Sequence, residues 1–88
     1  MQQITIKNLE GVVKRLNGLV GIDKPNYRTI GEYVLDGAYG GWKLARLVSE
    51  GGGQEDISSG GFVSKRELWN QVQAIIKVVY AQREVSHV

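Results

Sequence analysis

Two glycine clusters have the spacing that most invites chemistry. Gly37-Ala38-Tyr39-Gly40-Gly41 places three glycines in five positions, and Gly51-Gly52-Gly53 forms a second group. Glycine-rich loops can bring backbone N–H groups up to a phosphate. Neither cluster has the form this requires. Gly51-Gly52-Gly53 lacks the following lysine and hydroxyl residue of a P-loop, and Gly37, Gly40 and Gly41 lack the dinucleotide fingerprint spacing. Neither opens a strong helix whose N-terminus would hold an anion. The glycines are therefore expected to serve two turns, where positive φ comes at no steric cost.

The other reactive side chains are scattered. His87 is the only histidine and stands next to the C-terminus, where nothing fixes its geometry for proton transfer. Glu50, Glu55 and Asp56 are hard oxygen ligands, but they flank glycines and lack EF-hand spacing. Ser49, Ser58, Ser59 and Ser64 have no nucleophile-elbow context. There are no cysteines, hence no thiolate metal site, thiol nucleophile or disulfide, which fits a reducing compartment. No catalytic residue, metal or cofactor is expected. Tyr39 stands apart: glycines flank it in a turn, where burial is difficult, and an exposed aromatic there suits a partner surface or a stacked base.

The chain that must position these groups has 88 residues, enough for one small domain with some apolar surface hard to cover. A homodimer or a partner would cover it. With 42% hydrophobic and 23% charged residues the composition is globular. A net charge of +2 is too mild to indicate a nucleic-acid partner by itself. The start, Met1 to Lys7, has no apolar signal-like core, and no run approaches the ~20 apolar residues of a membrane span. A cytoplasmic location with no membrane partner is expected.

Periodicity gives the elements. Leu9, Val12, Val13, Leu16, Leu19 and Val20 share one face of a helix predicted over 6–19, with Thr5 or Asn8 as N-cap and Gly21 after its end. Lys14, Arg15 and Asn17 fall on the other side. A connection over 22–30 contains the only proline, Pro25. Strands are predicted over 32–36 and 42–48, with Tyr33, Leu35, Trp42 and Leu44 on one face and Val34, Asp36, Lys43 and Ala45 on the other. Arg46 and Leu47 break that alternation: either a bulge shifts the register near Ala45 or both faces are partly covered, and the bulge is the favoured account. A short third strand is expected over 54–58. Ser64-Lys65-Arg66-Glu67 is a capping box opening a helix over 65–82, with Leu68, Val72, Ile75, Ile76 and Val79 as its apolar stripe and 83–88 as a frayed tail. Trp42 and Trp69 are expected in the core. The sum is an α+β domain, two helices on one face of a two- to three-stranded antiparallel sheet, in the order α-β-β-(β)-α.

As a set, these residues resemble a group of small proteins encoded by tailed bacteriophages and prophages. The resemblance rests on Arg15-Leu16-Asn17, on the Tyr-x-Leu-x-Gly-Ala-Tyr-Gly-Gly-aromatic hairpin from Tyr33 to Trp42, on Glu50-Gly51-Gly52-Gly53 and on Lys65-Arg66-Glu67-Leu68. It implies an accessory protein made in the cytoplasm of an infected bacterium, where such proteins bind a host or phage protein or a nucleic acid. It brings no catalytic residues with it.

The expected function is non-enzymatic binding of a macromolecule, a protein first, through Tyr39, Gly40, Gly41, Arg46 and Glu50. The alternative is nucleic-acid binding by Lys14, Arg15, Lys65 and Arg66, because the element order is also that of double-stranded-RNA-binding domains. A small ligand-binding protein or enzyme ranks third.

Overall fold

A computed structural model describes residues 3–22, 26 and 28–85, the last three by backbone alone. Pro25, His87 and the end of the tail lie outside the described residues. The order is α1 (Ile6–Leu19), β1 (Tyr33–Ala38), β2 (Gly41–Leu47), β3 (Gln54–Asp56) and α2 (Lys65–Val85). The three strands form one antiparallel sheet in the order β1-β2-β3. Both helices pack on one face of it and on each other. The α+β architecture is the expected one, with the third strand formed.

Each helix begins and ends for local reasons. Thr5 Oγ1 accepts the Asn8 amide at 3.2 Å, and Asn8 Oδ1 accepts the Thr5 amide at 2.9 Å, a reciprocal capping box. At the other end Gly21 adopts φ +93°. Its amide donates to the Gly18 carbonyl and that of Ile22 to the Asn17 carbonyl, closing a Schellman motif. Ser64 Oγ accepts the Glu67 amide at 3.2 Å and starts α2. That helix continues to Val85, beyond the predicted end at 82, so part of the expected frayed tail is helical.

The core between helices and sheet holds Leu9, Val12, Val13, Leu16, Leu44, Leu68, Val72 and Ile76, with Trp42 and Trp69 half-buried against it. A second buried group, Val34, Ala45 and Leu47, lies on the opposite face of the sheet. That group explains why the alternation along β2 falters. The β1–β2 register runs unbroken from Tyr33↔Arg46 to Ala38↔Gly41, so the expected bulge is absent. As the central strand, β2 buries residues toward both faces, and a strict apolar–polar alternation is not required of it.

The hairpin is tighter than predicted. Both strands run into the glycine cluster, leaving Tyr39 and Gly40 as a two-residue turn with φ +54° and +73°. Positive φ at both positions defines a type I′ turn, whose twist matches that of the paired strands.

Candidate binding surface

The two ends of β1 are built differently, and the contrast locates the site. At its start, Asn17 of α1 presents its carboxamide to the backbone of Tyr33. Nδ2 donates to the Tyr33 carbonyl at 2.9 Å, and Oδ1 accepts the Tyr33 amide at 2.7 Å. Asn17 is only 1% exposed, which corrects its assignment to the solvent side of α1. It falls in the row Leu9, Val13, Asn17, at i, i+4 and i+8, and so continues a row of the apolar stripe itself. The neighbouring Glu32 is equally buried, and its Oε1 accepts the Asn26 amide at 3.1 Å.

At the other end Tyr39 is 95% exposed. A side chain with a Cβ in the left-handed region costs about 1–2 kcal/mol, and Tyr39 regains little of it by burial. Its ring meets Phe62 edge-to-face, with centroids 5.6 Å apart. Phe62 lies against Gly41, where a Cβ would come within 3.0 Å of the Phe62 backbone. Glycine at 41 is therefore a packing requirement. Lys43 Nζ stands 4.7 Å from the Phe62 centroid and bridges Asp36 at 3.9 Å and Asp56 at 3.1 Å. Tyr39, Phe62 and Lys43 thus form a continuous exposed-to-half-buried row on the sheet face away from the helices. Phe62 and Lys43 were not among the predicted contact residues. Their signal in the sequence was position: Lys43 two residues past the glycine pair Gly40-Gly41, and Phe62 beside the glycine pair Gly60-Gly61.

The remaining predicted residues are dispersed. Tyr39, Gly40 and Gly41 stand together at the tip. Arg46 lies five positions along β2 from Gly41, roughly 17 Å away at the ~3.3 Å rise of a strand. Its guanidinium is paired with Glu55 across β2–β3. Glu50 belongs to the loop beyond that same far end. The second glycine cluster, in this loop, is engaged with itself. The Gly52 amide donates to the Ser49 carbonyl and the Gly53 amide to Ser49 Oγ, so these N–H groups are not turned out as an anion cradle. Among the described residues no His, Asp and Glu side chains gather as a metal ion requires, and no helix is long and apolar enough to cross a membrane.

The basic residues also stay apart. Arg15 stacks over the Tyr80 ring at 5.7 Å, near the end of α2. Lys65 and Arg66 open that helix, about 21 Å from Tyr80 at 1.5 Å per residue. Lys77 lines a shallow depression with Trp69, Asn70, Gln73 and Ala74 on another part of α2. No protein-family model, curated protein or solved structure matches the chain.

Proposed function

We propose that this chain is a non-enzymatic binding protein whose contact surface is the hairpin tip, Tyr39 with Gly40, Gly41, Phe62 and Lys43, and whose partner is a protein. The observation that carries this reading is Tyr39: a tyrosine almost fully in solvent, at a turn position that its side chain makes costly. The fold gains little from an aromatic there. A binding surface gains a rigid, amphipathic anchor with few rotatable bonds to order. The resemblance noted above adds a setting, an accessory protein of a tailed phage acting on a host or phage protein in the bacterial cytoplasm.

The test is capture from lysates of infected and uninfected bacteria. One partner should be enriched by the native chain and lost with Tyr39→Ala, while circular dichroism and thermal melting show that variant still folded. Unchanged capture by Tyr39→Ala would remove the tip from the interface. The nucleic-acid reading is less well supported, because Arg15 and the pair Lys65 and Arg66 stand at opposite ends of α2. A mobility shift with duplex RNA or DNA that weakens steeply with salt would restore it.

A further inference from the structure

We infer that the partner docks as an added strand on the open edge of β1, at Leu35 and Gly37, and that its docked segment reads apolar–basic–apolar. This rests on the reading of the tip as a protein-binding surface and specifies the mode of contact. The Leu47 amide donates to the Glu32 carbonyl, and Tyr33 gives both its backbone groups to Asn17. Along β1 the backbone of Tyr33, Leu35 and Gly37 therefore points away from β2, while Val34, Asp36 and Ala38 point toward it. Asn17 occupies the first of the three outward positions as an amide surrogate for a neighbouring strand. Among the described residues nothing occupies the other two. An unpaired edge is a template for an extended chain, and this one runs from the Asn17 plug to the exposed ring of Tyr39.

The side chains beside the edge define what fits. On the face away from the helices, Asp36, Lys43 and Asp56 alternate in charge across the sheet. Lys43 leans to Asp56, at 3.1 Å against 3.9 Å to Asp36, and the Asp36 side chain is 42% exposed. Asp36 is the under-neutralised end of the row, so a cation opposite it on an added strand continues the alternation. On the helix face, Gly37 has no side chain, and the Trp42 ring covers it so closely that a Cβ would lie 2.8 Å from Trp42 Cζ3. An apolar residue opposite Gly37 on the helix face of an added strand would be the next neighbour of that ring. A second copy of β1 centred on this edge sets Asp36 against Asp36, which like-charge repulsion disfavours. The occupant is accordingly a foreign segment.

The experiment uses two blocked synthetic peptides, Thr-Val-Arg-Val-Thr and Thr-Val-Glu-Val-Thr, at millimolar concentration with the full chain, followed by amide hydrogen exchange. In the free protein the Leu35 and Gly37 amides should exchange fast, and those of Tyr33, Val34, Asp36 and Ala38 slowly. The arginine peptide should slow Leu35 and Gly37 by about tenfold or more and leave Tyr33 unchanged; the glutamate peptide should not. Asp36→Lys, at a half-exposed position, should exchange the two peptides' effects. Equal effects of both peptides on the native chain would overturn the basic requirement. Loss of lysate capture in Tyr39→Ala, with no protection of Leu35 and Gly37 by the arginine peptide, would keep the tip as a binding surface and overturn strand addition. Protection of both amides in the absence of peptide, rising with protein concentration alongside a dimer in sedimentation, would assign the edge to a second copy and overturn the foreign occupant.

Discussion

The start and the tip of β1 lie only a few residues apart yet are governed by opposite requirements. At the start, buried polar groups are matched: Asn17 with the Tyr33 backbone, and Glu32 with the Asn26 amide. Every group there that leaves water has a partner, which is the condition for burying it. At the tip, an apolar ring stays in water on a backbone conformation that disfavours it. The first end serves the fold, fixing where α1 meets the sheet and closing the edge at Tyr33. The second is available for contact because the first holds the hairpin still. A surface anchor is useful only if its scaffold is rigid, and here one asparagine supplies much of that rigidity.

The change that should break this comparison most severely is Asn17→Ala. It removes two hydrogen bonds and strands the Tyr33 amide and carbonyl, at a cost of about 2–4 kcal/mol in urea or thermal unfolding. Asn17→Asp keeps the acceptor for the Tyr33 amide and sets a carboxylate against its carbonyl, so it should fall between Asn17→Ala and the native chain. A cost below about 1 kcal/mol for Asn17→Ala would mean that water serves the Tyr33 backbone equally well and that this end is not locked. Next comes Gly37→Ala, midway along the strand. The new Cβ must displace the Trp42 ring from a 2.8 Å approach, with an expected cost of about 1–3 kcal/mol and a shift in tryptophan fluorescence.

Much of the fold was legible in the sequence. The 3.6-residue periodicity and the caps at Thr5, Gly21 and Ser64 located both helices, because those signals are local. The third strand, expected over 54–58 on the strength of Ile57 alone, forms over Gln54–Asp56, and Ile57 follows it with its amide donating to the Leu44 carbonyl. What misled was position within the sheet. The run Trp42 to Leu47 was read as bulged in preference to two-sided, whereas it belongs to a central strand that buries apolar residues on both faces, and no local pattern reports how many neighbours a strand will have. Asn17 was misassigned for a similar reason: a polar residue in the i, i+4, i+8 row is turned inward only if a backbone edge waits for it. Tyr39 was legible as exposed because glycines on both sides leave it nothing to pack under. Its companions Phe62 and Lys43 were not, since Phe62 arrives from a segment beyond β3.

A smaller effect sharpens the outline of the site. Arg46 was expected in it, but it pairs with Glu55 at the far end of the hairpin. An exposed pair of this kind contributes about 0.2–1 kcal/mol, so Arg46→Ala should lower stability by no more than that and leave capture of the partner unchanged. Loss of capture by Arg46→Ala would extend the contact surface along the whole of β2.

The smallest expected change in stability is also the one of opposite sign. Asparagine tolerates positive φ better than an aromatic residue and is preferred at the first position of a type I′ turn. Tyr39→Asn relieves the backbone while giving up the edge contact with Phe62, whose value is reduced by solvent exposure. The balance should be a gain of about 0.5 kcal/mol, seen as a rise of a few degrees in Tm for a domain of this size. The same variant should lose the partner. Higher stability with lost binding is the result expected of a residue held for contact at the expense of the fold. A variant that melts lower by more than about 1 kcal/mol would instead show that the Tyr39–Phe62 contact holds the tip together, and the two ends of β1 would then differ in exposure but not in purpose.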